Sequence, residues 1–200
     1  MKKIFVIIAS VVMSLVVIMV IVMSLVKVNV KIDYDGDPKQ IYIYNQSTDA
    51  ISHTSGGSKI NYFTKENEEY SEILSYLNKA TNISVFERLL NNSTLKNEVE
   101  QDFDGTYTKW STELKKKNIV IELVYDSKQR DSVVYYKGDS KVISYYTLAF
   151  VIPVGGGVRD VVVYFSSTND TTRKEVEYTQ NKPIHFKIKA DKLIKYVKSM

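Results

Sequence analysis

A chain of 200 residues with 44% hydrophobic and 25% charged content has the make-up of one globular domain plus an accessory segment, and not that of a disordered protein. Its net charge of +4 falls to +2 once Lys2 and Lys3 are set aside, with Lys and Asp/Glu intermixed, so charge makes no case for a nucleic acid partner. The absence of cysteine excludes a disulfide framework, a thiol nucleophile, an iron–sulfur cluster, cysteine-bound zinc and a lipid-modified cysteine, and it leaves the apolar core to hold the fold.

The chain begins with a basic tail at 1–3, and Ile4 to Val26 then runs 23 residues without a charge. A bilayer core about 30 Å thick is crossed by about 20 residues of helix. A cleavable leader has an apolar region of only about 7–15 residues ending at a small-x-small site. This run is longer, and its exit, VIVMSLVKVNV, contains no Ala-x-Ala. The expectation is an uncleaved signal anchor over 4–26 that crosses the lipid bilayer once. Lys2 and Lys3 flank one end and Lys27 and Lys31 the other, so the positive-inside bias is shallow. Two lysines before an apolar run are the usual export arrangement, which puts the N-terminus in the cytoplasm and 27–200 outside the cell membrane. Abundant Lys, Ile, Asn and Tyr with only 8 Gly and 3 Pro is the mixture that AT-rich codons favour, an association with low-GC bacteria.

Within 28–63, Val28, Val30 and Ile32 alternate with Asn29, Lys31 and Asp33, the period of a strand. DYDGDP reads as a turn, KQIYIYN as a second strand and QSTDAISHTSGGSK as a loop. Residues 64–104 read as helical. Acids open the helix TKENEEYSEILSYLNKA, where the dipole favours them, and Tyr70, Ile73, Leu74 and Leu77 share a face. SVFERLL has Ser84 and Glu87 at capping-box spacing, with Phe86, Leu89 and Leu90 expected on its buried side, and STLKNEVEQDF suggests a third helix. Residues 117–189 read as antiparallel strands. NIVIELVYD points Ile119, Ile121 and Leu123 one way, DSVVYYKGDSKVISYYTLAFVIP is a hairpin turning at Gly138-Asp139, and VRDVVVYFSS and PIHFKIK follow. Residues 190–200 form a basic amphipathic helix. The expected class is α+β, an antiparallel meander-like sheet with two to three helices on one face.

Gly155-Gly156-Gly157 raises the question of a phosphate cradle. A P-loop needs Lys and Ser/Thr after its glycines, and a dinucleotide loop needs a helix there. Here Val158-Arg159-Asp160 and a strand follow, so the glycines read as a strand-to-strand connection with Val161 and Val163 facing the core. No cofactor is expected. Glu100, Asp102, Asp104 and Gly105 match loop positions of an EF-hand, but position twelve is Ser111 where a bidentate Glu is required, which leaves only a loose acidic metal candidate. His53, beside Asp49, Ser52 and Ser55, lacks a nucleophile elbow, and neither His53 nor His185 has a second histidine at zinc-ligand spacing.

The 15 tyrosines offer more. Tyr42, Tyr44, Tyr135, Tyr136 and Tyr145 are the expected binding residues, because tyrosine gives rigid amphipathic contact area. The sequence thus describes a membrane-anchored extracytoplasmic domain that binds or scaffolds in the cell envelope without catalysis, its partner another envelope protein or a glycan. The competing expectation is an anchored hydrolase of a wall polymer, using two carboxyls about 5–9 Å apart that sequence alone does not pair.

Overall fold

Apolar runs fill the C-terminal half of the chain, and they become the centre of the sheet. The computed structural model describes residues 2–29, 37–46, 50–90, 110, 112–134, 140–167 and 184–200. These form helices α1 (Lys2–Leu25), α2 (Glu68–Thr81), α3 (Val85–Leu90), α4 (Thr112–Lys117) and α5 (Asp191–Ser199). The strands are β1 (Lys27–Asn29), β2 (Gln40–Asn45), β3 (His53–Ser55), β4 (Ser58–Ile60), β5 (Asn82–Ser84), β6 (Asn118–Val134), β7 (Ser140–Pro153), β8 (Val158–Ser166) and β9 (Ile184–Lys189). The class is α+β: an N-terminal apolar helix, then a five-stranded antiparallel sheet in the order β2-β6-β7-β8-β9. From β6 to β9 the sheet is a meander, and β2 joins beside β6. β1 and β5 form a separate two-stranded pair, as do β3 and β4.

Both faces of the central strands are buried. On the first face Ile119, Ile121 and Leu123 meet Leu148, Phe150 and Ile152, then Val161, Val163 and Phe165. Helix α2 covers them with Tyr70, Ile73, Leu77 and Ala80, and α5 with Leu193, Ile194 and Val197. Val161 and Val163 therefore face the core, as the glycine-loop reading requires. On the second face Val120, Ala149, Val151, Val162 and Tyr164 pack beneath Trp110 and Leu114 of α4. Unbroken apolar runs such as LAFVIP and VVVYF are the mark of strands buried on both sides.

Four expectations change in detail. The segment read as the loop QSTDAISHTSGGSK holds the β3–β4 hairpin, in which Ser55 pairs with Ser58 across Gly56 (φ 58) and Gly57 (φ 89). Two consecutive positive φ values define a tight I′ turn, which glycine adopts without strain. NIVIELVYD and DSVV are one strand, β6, because a register shift between Val124 and Gln129 lets the ladder resume instead of ending it. Leu90 is 66% exposed and not on a buried face. The second face is covered by α4 too, so helices lie on both sides. The expected third helix around 93–103 and the turn at Gly138-Asp139 lie outside the described residues.

Pro153 ends β7, and the chain crosses to β8 through Val154 to Gly157. The Val154 N–H donates to the Lys117 carbonyl at 2.9 Å, and the Gly157 N–H donates to Asp191 Oδ1 at 2.9 Å. Gly157 has φ 80, a conformation that a side chain would strain. The glycines connect strands, and no helix follows them.

Helix α1 is long and apolar enough to cross a membrane, and its apolar window is 0% buried against the rest of the chain; a signal sequence near an N-terminus passes the same test. Its end joins the domain through backbone. Val85 N–H donates to the Val26 carbonyl at 3.1 Å, and β1 pairs with β5. The capping box that opens α3 forms: Ser84 N–H reaches Glu87 Oε2 at 3.3 Å, and Glu87 N–H reaches Ser84 Oγ at 3.1 Å. The other Glu87 oxygen accepts from Lys189 Nζ at 2.9 Å, which fastens α3 to the end of β9. That bond, with help from Ser84, holds the Glu87 carboxyl below its ordinary range, and the same partner raises Lys189.

A lowered native pKa adds stability above the unfolded pKa and loses it as pH falls through the native value. The pair is partly exposed, so the contribution is small. Glu87→Gln should flatten the fall in urea midpoint between about pH 5 and pH 3 relative to the native chain, and equal slopes would exclude this linkage.

Candidate functional site: an aromatic row on the second sheet face

Alternation along β2 sends Ile41 and Ile43 into the first-face core and turns Tyr42 and Tyr44 to the second face. Both tyrosines are half-buried, and their rings stack at 6.5 Å with 18° between planes. Tyr62, just past β4, leans on Tyr42 at 5.6 Å. Phe63 bridges to Ile41 through two 2.9 Å backbone bonds, which covers the edge of β2 and holds Tyr62 there. His53 stacks on Phe63 at 4.4 Å, and a ring nitrogen hydrogen-bonds the Tyr62 carbonyl. This histidine thus supports the aromatic row, and Ser52 beside it donates to Asn61 Oδ1 at 2.9 Å.

Beneath the row lies Glu122, only 1% exposed in the middle of β6. Its Oε2 accepts from the Tyr44 hydroxyl at 2.8 Å, and its Oε1 accepts from Trp110 Nε1 at 2.9 Å. Charge-assisted bonds of this length are the strong class, and a buried carboxylate needs them. Trp110, 5% exposed, continues the row to Tyr164 at 6.0 Å. The order across the sheet is Tyr62, Tyr42, Tyr44, Glu122, Trp110 and Tyr164, half-exposed at the β2 edge and buried at β8. One carboxylate therefore fixes two rings from segments far apart in sequence. The outer rings present a preorganised aromatic surface suited to stacking, with the Tyr42 hydroxyl held by Gln40 Oε1 at 3.2 Å and the Tyr44 hydroxyl by Glu122.

Of the five tyrosines expected to bind, the structure brings Tyr42 and Tyr44 together. Tyr145 is a correction. It is 0% exposed, between Tyr125 at 5.7 Å and Phe165 at 5.4 Å in the first-face core, and offers a partner nothing. Strict alternation from Leu148 would turn Tyr145 outward. The register shift opposite it, where Val124 pairs with Thr147 but Gln129 pairs with Tyr145, re-aims the ring inward and leaves Tyr146 half-exposed. Tyr135 and Tyr136 lie outside the described residues, as do Glu100, Asp102 and Asp104. The position of His185 on β9 is described, but its side chain is not.

Sequence reasoning did not single out Tyr62, Trp110 or Glu122. For Glu122 the signal was present: an acid flanked on both sides by apolar residues in NIVIELVYD, on the face opposite Ile119, Ile121 and Leu123. Among the described residues no three His, Asp or Glu side chains come together to hold a metal ion. A separate groove of about 490 Å³ is lined by Asp37, Lys39, Lys65, Glu66, Tyr125 and Asp126. In it Lys39 meets Asp126 and Lys65 meets Asp37, both at 2.8 Å, so these carboxylates face lysines.

No family model matches the chain, nor does any curated protein or solved structure.

Glu122→Gln places an amide donor against one of two ring donors and should cost about 1–3 kcal/mol of stability. Trp110 is the single tryptophan, so its fluorescence reports the change directly. A shifted emission maximum together with a lower urea midpoint is expected, and an unaltered spectrum would mean that the carboxylate does not hold the ring.

Proposed function

We propose that this chain is a single-pass membrane protein whose domain binds a partner in the cell envelope through the aromatic row, without catalysing a reaction. The observation that carries the reading is the stacked pair Tyr42 and Tyr44 with Tyr62 beside them, half-exposed and held from below by Glu122. Ordered rings bind without first losing rotamer freedom. A row of tyrosine faces suits a glycan or the surface of another envelope protein, since aromatic faces stack on the apolar faces of sugars and side chains. The exposed α1, free of charge from Ile4 onward, supports the anchor, with the two lysines at its start favouring a cytoplasmic N-terminus. The runner-up is an anchored hydrolase of a wall polymer. The acid-lined groove at Asp37, Glu66 and Asp126 supports it, and the lysines facing two of those acids argue against it.

Two measurements test the proposal. In protease protection on intact cells, the domain should be degraded while the chain stays in the membrane fraction; a soluble, shortened chain would refute the anchor. In cosedimentation with isolated wall polysaccharide, and in capture of envelope proteins by the full chain, Tyr42→Ala should weaken retention at least about tenfold, the loss of one aromatic hot spot. Retention equal to that of the native chain would remove the row as the binding site, and release of soluble sugar would favour the hydrolase.

A further inference from the structure

The end of the sheet joined to α1 is also its basic end. Contacts run without a break from α1 to α3, from Glu87 to Lys189 at the close of β9, and from Asp191 to the glycine loop. Helix α5 starts there and buries Leu193, Ile194 and Val197, and this turns Lys192, Lys195 and Lys198 outward, all exposed. Gly155, Gly156, Asp191, Lys195, Lys198 and Ser199 border a groove of about 490 Å³ along its flank, with Asp191 Oδ1 accepting from the Gly157 amide. Lys117 and Arg159, also exposed, stand at the same end; the Arg159 guanidinium lies against Gly155, where a Cβ would sit 3.1 Å from its Nε. Described acids here are engaged: Glu87 with Lys189, Asp160 with Lys187, and Asp191 with the Gly157 amide. Asp37, Glu66 and Asp126 line the other groove, and Glu69 and Glu72 of α2 face α5 at Tyr196, whose hydroxyl hydrogen-bonds Glu72.

We infer that this end of the domain lies on an anionic lipid surface, with Lys195 and Lys198 seating phosphate headgroups in the groove beside the glycine loop. The inference rests on the reading of α1 as a membrane span. Charge complementarity selects the occupant. A surface of lipid phosphates attracts lysines within a Debye length of it, and the exposed lysines of α5 stand at the end of the sheet that α1 joins. The glycine loop suits this position, because without side chains it leaves the groove open to a headgroup.

The test is backbone hydrogen exchange on the full chain in nanodiscs, either of phosphatidylcholine alone or with about one third phosphatidylglycerol. In the anionic discs, exchange across Asp191–Ser199 and Gly155–Gly157 should slow by about tenfold, reverting at about 0.5 M salt. Lys195→Gln/Lys198→Gln, two exposed positions, should remove the slowing while exchange in β7 and β8 stays unchanged. Equal rates in both discs with the chain inserted would overturn the inference and leave the anchor standing. A chain that enters neither disc would overturn both. Slowing in neutral discs on addition of inorganic phosphate, without an effect of anionic lipid, would make the groove a site for free phosphate and refute the lipid contact.

Discussion

Leu148, Ala149, Phe150, Val151 and Ile152 follow one another along β7 without a polar side chain, and all five are buried. A strand of this kind has no face to give to water, so cover is required on both sides, and in a chain without disulfides burial alone must supply the stability. Helices α2 and α5 meet the requirement on the first face. On the second, among the described residues, α4 and Trp110 do so.

That second face sets the character of the aromatic row. On β2 the side chains of this face are the half-buried tyrosines Tyr42 and Tyr44, and the buried acid of β6 lies beside them. Glu122 is costly to bury, and the bonds from Tyr44 and Trp110 offset that cost, so losing either ring weakens the hold on the other. This makes the half-exposed rings rigid although they stand on an edge strand. Support continues below them, where Tyr70 donates its hydroxyl to the Pro38 carbonyl ahead of β2, its pKa pushed up to about 12 by burial and by Asp37.

The regular parts of the fold were readable from residue patterns. Alternation located β2, β6 and β8 and oriented Tyr42, Tyr44, Val161 and Val163; spacing located α2 and the Ser84–Glu87 capping box. What was not readable depended on register or on distant partners. Tyr145 turned inward because of a ladder shift that no local pattern marks. The His53–Ile60 hairpin was hidden because polar strands carry no apolar period, and only its two glycines hinted at the turn. Trp110 had no local motif at all: its role comes from an acid in β6, and it is the meeting of the two that makes the site.

The tie between Tyr44 and Glu122 spans 78 positions, and the entire β2–β6 ladder closes loops of similar length. During synthesis at about 5–20 residues per second, β2 emerges roughly 4–16 s before its partner. For that interval Ile41 and Ile43 have no strand to lie against, so the hazard in making this protein falls on its early, partnerless half. Folding of the sheet waits on the later strands, and loop-closure entropy makes pairing at such separation slow even when both strands are present. The order of the chain thus imposes a timetable: the apolar helix first, the aromatic row near the end, and a vulnerable stretch between them.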